Sequence, residues 1–315
     1  MTSGERNDTP ASPRVSVLMP CYNGEAFVEE AIRSILDQTL ADFEFIIVDD
    51  GSTDGSPLII DAWRQADRRI RVLTKPNGGI VSALNFGLEA CRGQYVARMD
   101  ADDIALPERL AFQADYLDRS PGCVLVGGSS VDEMPPTANS VRASGGRHAA
   151  TDLSVFPPRI AVAVHPLVMF RRDVVMGIGG YSADYPHAED YDLFIRLAAH
   201  GTIDNPPEDL LFYRRHDDAV SVRHVDVQED AAVQAELDAL QRAAQPLPPP
   251  SVIEAYGRLR KFRRYLVVDI PRARRLAPEI ARDMVASNLR DREGNGQWRL
   301  RMIMARALVR LYTGR

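Results

Sequence analysis

Short apolar runs rich in β-branched residues alternate with amphipathic stretches through the first half of the chain. The runs are typical of buried strands and the amphipathic stretches of helices, so the alternation predicts an α/β fold. The predicted strands are Val15–Met19, Phe43–Val48, Ile70–Leu73, Gln94–Met99 and Val124–Val126, and the predicted helices are Ala26–Gln38, Ser56–Ala66, Ile80–Cys91 and one beginning at Pro107. Because helical crossovers join successive strands, we expect a mostly parallel sheet whose strand-to-helix loops share one edge.

Length and composition exclude several classes of protein. The chain has 315 residues, 45% of them apolar, which is enough for one large domain or two modest ones. This excludes a disordered chain and a disulfide-stapled miniprotein. The cysteines Cys21, Cys91 and Cys123 lie far apart without metal-ligand spacing, which indicates a reducing compartment.

The chain has no stretch typical of a membrane span. Its longest apolar run, Ile160–Phe170, contains His165 and Pro166 and is too short to cross a bilayer. Residues 1–13 are polar without an apolar core, so we expect a disordered leader rather than a secretion signal. These features predict a soluble, cytoplasmic protein.

The periodicity changes in the second half of the chain. Residues 128–150 are rich in Ser, Gly and Pro and predict a loop, and the sequence QPLPPP ending at Pro250 marks a boundary. Between them lie Ala161–Phe170, a predicted helix over residues 189–200 and the short run Leu210–Tyr213. Beyond the boundary, the predicted helices are Ile253–Val268, Arg272–Leu289 and Trp298–Tyr312.

Small, polar and acidic residues follow four successive predicted strands. Ligands of parallel sheets bind beyond the carboxyl ends of the strands, so these loops are the candidate site. In chain order the loops are Pro20–Glu25, Asp49–Gly55, Lys75–Gly79 and Asp100–Asp103. The first loop lacks the G-x-G-x-x-G pattern that cradles the pyrophosphate of NAD.

The acidic loop carries the strongest signal. Asp100, Asp102 and Asp103 repel one another unless a cation or strong hydrogen-bond donors neutralise them. Mg²⁺ or Mn²⁺ suits this set, because hard divalent ions bind carboxylates together with substrate phosphates. The alternative is a solvated helix N-terminus, at which Asp103 would favour the helix dipole.

Other candidate residues have two interpretations each. Asp49 and Asp50 either bind a base or ribose or form an Asp-Gly turn, and Tyr22 either stacks on a base or packs. Lys75 and Asn77 are either a positioning pair or ordinary loop residues. Glu189 and Asp190 cannot share one helical face, so at most one of them points into a cleft. The pair either provides a general base there or caps the N-terminus of the helix. His216 is either a ligand or a structural histidine.

Five sequence blocks occur together in the order of a known family. They are Pro20-x-Tyr22-Asn23-x-Glu25, Val48-Asp49-Asp50-Gly51-Ser52-x-Asp54, Asn77-x-Gly79, Met99–Asp103 and Glu189-Asp190. This order resembles glycosyltransferase family 2, the inverting nucleotide-sugar-dependent enzymes with a GT-A fold. The similarity covers about residues 14–217, and the segments His165–Arg172 and Tyr213–His216 resemble family features less sharply.

The resemblance implies a fold and a domain division. It implies a GT-A sheet with a Rossmann-like nucleotide-binding half over residues 14–127 and an acceptor half over 128–225. Residues 226–315 lie outside the resemblance, and their periodicity and charge predict a helical, basic C-terminal extension.

The resemblance also implies roles for individual residues. Tyr22 and Asp50 would hold the nucleotide base, in a pocket shaped by Pro20, Asn23 and Glu25. The nucleotide-binding set would further include Ser52, Asn77, Asp100 and Ala101, with Asp100 on the ribose or the sugar. Asp102 would ligate Mg²⁺ or Mn²⁺, His216 would add a metal or diphosphate contact, and Asp190 would be the catalytic base.

The implied reaction is sugar transfer with inversion. Asp190 would accept the proton of the acceptor hydroxyl as it attacks the sugar, while the cation neutralises the leaving diphosphate. The sugar donor would be a UDP- or dTDP-sugar and the acceptor a glycan or lipid-linked hydroxyl, in polysaccharide or glycolipid synthesis. Rival interpretations are a sugar-nucleotide nucleotidyltransferase, an aspartyl phosphatase and a non-catalytic nucleotide-sugar-binding or scaffold protein.

The C-terminal segment differs in charge from the rest of the chain. Residues 256–315 carry 16 Lys or Arg against 5 Asp or Glu, whereas the whole chain has a net charge of −6. The acidic body argues against a nucleic-acid partner. The basic segment predicts either a peripheral contact with the inner face of an anionic membrane or, slightly favoured, helices that pack their apolar stripe on the acidic body or on a partner subunit.

Overall fold

The computed structural model describes residues 12–132, 134, 142–144, 150–214, 224–290, 303–307 and 311. The strands are β1 (Val15–Cys21), β2 (Phe43–Asp49), β3 (Ile70–Thr74), β4 (Tyr95–Arg98), β5 (Ile104–Ala105), β6 (Cys123–Val126), β7 (Ser129–Val131), β8 (Arg142–Ser144), β9 (Met169–Arg171), β10 (Thr202–Asp204) and β11 (Asp209–Phe212). The helices are α1 (Val28–Leu36), α2 (Ser56–Ala66), α3 (Gly79–Ala90), α4 (Arg109–Arg119), α5 (Arg172–Gly177), α6 (Glu189–Leu197), α7 (Val225–Arg242), α8 (Pro250–Val268) and α9 (Ile270–Arg290), and His165–Leu167 form one 3₁₀ turn.

A seven-stranded sheet forms the centre of the first compact unit. Its strand order is β10-β6-β9-β4-β1-β2-β3, and β4, β1, β2 and β3 run parallel. All seven residues of β1 and of β2 are buried, because helices cover both faces of the sheet. The prediction of a mostly parallel sheet flanked by helices is confirmed.

Two structural features differ from the predicted parallel order. Strand β9 pairs antiparallel with both β4 and β6, and it comes from the stretch Ala161–Phe170 that the sequence left without a defined element. A second sheet has the order β5-β11-β7-β8. The prediction of an uninterrupted loop over residues 128–150 is therefore wrong, because β7 and β8 lie within it. These strands are short and pair with each other, and β7 also pairs with β11, which is far away in sequence.

The chain divides into two compact units. The first consists of the described residues within Met1–His148, Ala163–Gly180 and His200–Arg214, and it contains all the strands named above. The second consists of those within Ala149–Val162, Tyr181–Ala199 and Arg215–Arg315, and it contains α6–α9.

The helices of the second unit pack against one another. Leu259, Phe262 and Tyr265 of α8 are buried in a core with α7 and α9, so this apolar stripe is not available to a membrane. Basic residues of α8 pair with acids of α7 and α9, as in Lys261–Asp230 and Arg258–Asp283. Within the described parts of the chain, no helix has the length and apolar content needed to cross a bilayer.

Candidate functional site

The loops that follow β1 and β2 hold each other in place. The backbone N–H of Asn23 donates to Oγ of Ser52 over 3.0 Å, and Oδ1 of Asn23 accepts from the N–H of Thr53 over 2.8 Å. Oε2 of Glu25 accepts from the N–H of Gly55 over 2.8 Å. Asn23 has a φ of 52°, in the left-handed region that asparagine adopts more readily than most residues. Asn23, Glu25 and Ser52 therefore set the shape of this edge of the sheet.

Gly51 permits the third loop to approach the second. Its φ is 77°, and a Cβ added there would lie 2.7 Å from the backbone nitrogen of Asn77. Both the backbone angle and the close contact require glycine. The Asp-Gly pair after β2 is thus a tight turn that also allows two loops to come into contact.

Asp50 is buried, with 3% of its surface exposed, and binds the loop after β3. Its Oδ1 accepts from Nζ of Lys75 over 2.5 Å, and its Oδ2 accepts from the N–H of Gly79 over 2.9 Å. Nδ2 of Asn77 donates to the backbone oxygen of Asp50 over 3.1 Å. These contacts give Asp50 a loop-positioning role, and its contact with a nucleotide base stays a prediction.

The acidic loop follows β4 and lies against the first loop. A Cβ added to Gly24 would lie 3.7 Å from Cβ of Ala101. One carboxylate oxygen from each of Asp100, Asp102 and Asp103 can be chosen so that all three lie within 4.8 Å of one another. Asp103 precedes β5, whereas α4 begins only at Arg109, so the alternative of a helix N-terminus at Asp103 is wrong.

Two buried arginines lie beside the acidic loop. Arg98, the last residue of β4, pairs through Nη2 with Oδ1 of Asp100 over 2.5 Å. Arg109 is fully buried, and its Nη2 donates to the backbone oxygen of Arg98. Burial lowers the pKa of Arg109 to about 9, while the charge of Asp103 opposes that shift.

Arg214 fastens the acidic loop from the other side. Its backbone N–H donates to Oδ1 of Asp103 over 3.0 Å, and its Nε donates to the backbone oxygen of Asp102 over 2.9 Å. Its Nη2 pairs with Glu30, so part of the guanidinium charge is directed away from the loop. The candidate residues predicted from the sequence do not include Arg98, Arg109 or Arg214. A charged residue inside a predicted buried strand, directly before the acids, was an available signal for Arg98.

The acidic loop fits a hard divalent cation. Oδ2 of Asp103 is buried and has no hydrogen-bond partner within the described structure. Burial, together with the charges of Asp100 and Asp102, raises the pKa of Asp103 to about 8. Burial also raises the pKa of Asp100, although the Arg98 guanidinium opposes the shift. A cation at these oxygens would relieve the repulsion, and oxygen ligands are those that Mg²⁺ and Mn²⁺ prefer.

The cysteines offer no nucleophile. Cys21, Cys91 and Cys123 are free and buried. Burial raises the pKa of Cys21 to about 11 and those of Cys91 and Cys123 to about 12, so the reactive thiolate is scarce near neutral pH.

Asp190 lies in the first turn of α6, in the second unit. Its Oδ1 accepts from the backbone N–H of Tyr191 over 2.7 Å. Asp190 is half-buried, whereas its neighbour Glu189 is buried. This difference agrees with the expectation that the two carboxylates face different directions.

A buried polar cluster holds the same helix turn. The hydroxyl of Tyr191 donates to Oε1 of Glu236 on α7 over 2.6 Å, and Nη1 of Arg260 on α8 donates to the same oxygen over 2.6 Å. The hydroxyl of Tyr256 donates to it as well, over 3.1 Å. Glu236 is fully buried, and burial raises its pKa against the opposing charge of Arg260. These contacts fix the residue next to Asp190.

The predicted site residues divide between the two units. The first unit brings together the loops that carry Pro20, Tyr22, Asn23, Glu25, Asp50, Ser52, Asn77, Asp100, Ala101 and Asp102. Pro20 is buried within β1, and Tyr22 is 52% exposed at the end of that strand. Asp190 belongs to the second unit, and the predicted ligand His216 lies outside the described residues.

A comparison with family models identifies the chain. The model described as Glycosyl transferase family 2 matches residues 16–179, which is more than half of the chain. The chain belongs to glycosyltransferase family 2. The matched segment includes the four loops of the first unit and ends before Asp190.

Curated relatives agree with the assignment to this family of glycosyltransferases. The amylovoran biosynthesis glycosyltransferase AmsE of Erwinia amylovora is 34% identical over 221 residues, covering 66% of this chain and 79% of the relative. A chondroitin synthase of Pasteurella multocida is 29% identical over 221 residues, covering 69% of this chain but only 22% of the relative. This glycosyltransferase therefore spans about a fifth of the length of that much longer enzyme.

Solved structures share the glycosyltransferase fold. The mannosyltransferase PcManGT from Pyrobaculum calidifontis, in complex with GDP-Man and Mn²⁺, aligns with a TM-score of 0.57 at 19% identity, over 96% of this chain and 87% of that one. S. aureus TarS 1-349, in complex with UDP-GlcNAc, aligns with a TM-score of 0.57 at 17% identity, over 84% of this chain and 83% of that one. At these identities the likeness establishes the GT-A fold alone.

Proposed function

We propose that this family 2 glycosyltransferase transfers a hexose, with inversion, from a nucleoside diphosphate sugar to an acceptor hydroxyl. The proposed cofactor is Mg²⁺ or Mn²⁺, and the proposed catalytic base is Asp190. The observation that carries the proposal is the acidic loop, with three mutually close carboxylates and an unpartnered buried oxygen on Asp103.

The residues of the first unit bind the sugar donor. Asp102, with Asp100 beside it, would hold the cation, which when bound supplies positive charge to the departing diphosphate. Arg214 keeps the acidic loop in place through its contacts with Asp102 and Asp103. Tyr22, exposed at the end of β1, is available for stacking on the nucleotide base.

Asp190 of the second unit would accept the proton of the acceptor hydroxyl. A carboxylate in this role raises the nucleophilicity of the hydroxyl oxygen as it attacks the anomeric carbon, which gives inversion in one displacement. Inverting glycosidases need a second carboxylic acid to protonate the leaving oxygen. A diphosphate neutralised by a cation needs no such acid, so one base is sufficient.

The proposed sugar donor is a UDP- or dTDP-sugar, and the proposed acceptor is a glycan or a lipid-linked hydroxyl. Support for a role in polysaccharide or glycolipid synthesis comes from the amylovoran relative. Support for a nucleotide sugar and a divalent cation comes from the ligands of PcManGT and TarS. The three free, buried cysteines agree with the cytoplasm as the proposed compartment.

A panel of nucleotide sugars tests the proposal. UDP-, dTDP- and GDP-sugars are each incubated with the protein and Mg²⁺, Mn²⁺ or EDTA, while nucleoside diphosphate release and thermal stabilisation are measured. We expect at least one sugar donor to be turned over and to raise the melting temperature only with a cation. Nucleotide binding without any turnover, for every sugar donor and acceptor tried, would favour a non-catalytic binding protein.

Asp190→Asn tests the base assignment separately. The variant should keep cation-dependent nucleotide binding but lose about 10²–10⁴-fold in turnover, the usual contribution of a positioned general base. Asp184→Asn is the matched control, because Asp184 is an exposed aspartate of the same unit. Turnover by Asp190→Asn at the control's rate would remove Asp190 from the reaction.

A further inference from the structure

The second unit contains a cavity whose ten lining residues include four arginines. Its volume is about 670 Å³, and its lining includes Arg260, Arg263 and Arg264 of α8 and Arg306 of the helical residues 303–307. None of the predicted site residues lines it. It shares Tyr256 and Arg260 with the polar cluster next to Asp190 but contains none of the residues assigned above to sugar transfer.

Helix geometry explains why these side chains share one cavity. Residues 260, 263, 264 and 267 follow the spacing that puts side chains on one face of a helix. The opposite face of α8 carries Phe262 and Tyr265, which are buried in the helical core. Ile303, Arg306 and Ala307 have the same spacing and line the cavity from a second helical segment. Two helix faces thus contribute arginine side chains to one cavity.

Part of the positive charge in this cavity has no acidic partner within the described parts of the chain. Arg260 contacts Glu229 through Nε and Glu236 through Nη1, each over 2.6 Å, so acidic side chains of α7 neutralise its charge. Arg263 and Arg306 have no acidic partner among the described residues, and Glu229 is the one acid among the residues that line the cavity. Like charges held close together favour the binding of an anion.

The chemistry of the lining indicates which anion. All four cationic residues are arginines, whose planar guanidinium donates paired hydrogen bonds that match the oxygens of a phosphate. Apolar side chains lie beside them, including Leu266 and the 65% exposed Val267. A small inorganic anion would not use this apolar surface, whereas an amphiphile would place hydrocarbon on it.

We propose that this cavity binds the phosphate head group of an anionic lipid. Arg263, Arg264 and Arg306 hold the phosphate, and Val267 and Leu266 contact the first part of the hydrocarbon. The site brings the protein to a lipid surface through a defined pocket rather than through a helix lying flat on the bilayer, whose apolar stripe the helical core has already buried. The proposal does not depend on Asp190 or on the acidic loop.

Vesicle flotation of the full chain tests the proposal. Vesicles are made of phosphatidylcholine alone or of phosphatidylcholine and phosphatidylglycerol in equal amounts. We expect binding to the anionic vesicles only, and we expect the double variant Arg263→Gln/Arg306→Gln to bind about tenfold more weakly or worse. Val267→Ser should weaken vesicle binding by a smaller factor.

A charge-matched control separates a site from general attraction. Arg33→Gln/Arg64→Gln removes the same charge from exposed positions of the first unit and should bind anionic vesicles within twofold of the wild type. Equal losses in the two double variants would contradict the proposal, as would a wild type that does not float. Arg263 and Arg306 are exposed, so unchanged melting temperatures are expected and are measured for each variant.

Calorimetric titration with inorganic pyrophosphate distinguishes a lipid from a soluble phosphate. If Arg263→Gln/Arg306→Gln lowers pyrophosphate binding but leaves vesicle binding unchanged, the ligand is a free phosphate compound and the lipid proposal is overturned. If both fall, while Val267→Ser weakens vesicle binding and leaves pyrophosphate binding unchanged, the apolar part of the site acts on hydrocarbon as proposed.

Discussion

The backbone N–H of Arg214 donates to Oδ1 of Asp103 over 3.0 Å and so joins the end of β11 to the loop after β4. The side chain of the same arginine reaches the backbone oxygen of Asp102 over 2.9 Å. Residues 111 positions apart therefore fix the conformation of the acidic loop. The proposed cation site depends on this contact as well as on the loop's own carboxylates.

Arg214→Ala should weaken cation-dependent binding of the sugar donor by about tenfold, because a hydrogen bond from a charged, partly exposed group is lost. The fold should remain, since the backbone N–H of residue 214 still reaches Asp103. Calorimetric titration of nucleoside diphosphate with Mn²⁺ measures the affinity. Arg33→Ala is the control, as an exposed arginine of the same unit whose ion pair with Glu29 lies within α1. Equal affinities in the two variants would show that Arg214 does not position the loop.

Asp50 and Lys75 should be energetically coupled. Their side chains are 4% and 17% exposed and meet over 2.5 Å, so removing one leaves a largely buried charge. We expect Asp50→Asn to lower the free energy of unfolding by about 2–4 kcal/mol, with a coupling of about 1–3 kcal/mol in a cycle with Lys75→Met. Urea unfolding of the four proteins measures both values. Additive effects within about 0.5 kcal/mol would mean that the pair does not hold the third loop.

Glu44 should make stability depend on acid pH. Burial acts to raise its pKa, but hydrogen bonds from Ser16, Arg92 and Arg71 outweigh burial and lower it below the usual value. A lowered folded-state pKa stabilises the protein above the unfolded-state pKa of about 4.3, and the stabilisation disappears as the pH falls through the folded-state value.

The measurement for Glu44 is urea unfolding of the wild type and Glu44→Gln across this pH range. Near neutral pH the variant should be less stable by about 1–3 kcal/mol, because Arg71 and Arg92 lose a charged partner while staying partly solvated. The difference should shrink below about pH 4. A difference that stays constant with pH would contradict the assigned ion pairs.

Tyr191→Phe should lower kcat by about three- to tenfold without changing the KM of the sugar donor, because it removes the hydrogen bond to Glu236 beside Asp190. This prediction depends on Asp190 being the base. Tyr265→Phe is the control, since Tyr265 is a buried tyrosine of α8 in the same unit. A parallel fall in kcat for both variants would indicate general loosening of the helices rather than positioning of α6.

Periodicity predicted the parts of the fold that depend on local sequence. Helix α2 has the predicted bounds Ser56–Ala66, and β2 extends the predicted Phe43–Val48 by one residue. In both elements, the apolar pattern of the sequence agrees with the packing in the structure, over several turns of the helix and several residues of the strand. The helix expected at Pro107 instead begins at Arg109, because residues 107 and 108 form a turn before it.

Elements that depend on distant partners could not be predicted from the sequence. Strands β7 and β8 have three residues each and form by pairing with other strands. The sequence around them is rich in Ser and Gly and therefore predicted a loop. Helix α7 was not assigned individually because its small residues, such as Ala232 and Ala235, gave only weak periodicity.

The same contrast between local sequence and distant partners applies to the candidate site. Motifs identified the carboxylates after β2 and β4, because each lies at the end of a predictable strand. They also offered Lys75, which pairs with Asp50, as a positioning residue, but they did not identify the arginines beside the acidic loop. Arg109 reaches the end of β4, just before the acidic loop, from α4. Arg214 reaches the loop itself from beyond β11, and both contacts form only when the sheet is assembled.

Calorimetric titration of Mn²⁺ in the presence of UDP, dTDP or GDP tests the central claim most directly, with wild type, Asp102→Asn and Asp115→Asn compared. Asp115 is an exposed aspartate of the first unit that pairs with Arg14, so its variant controls for the loss of one negative charge. We predict tight Mn²⁺ binding with at least one nucleotide in the wild type and the control, and binding at least tenfold weaker in Asp102→Asn. Wild-type affinity in Asp102→Asn, or no Mn²⁺ binding by the wild type with any of these nucleotides, would contradict the proposed cation site.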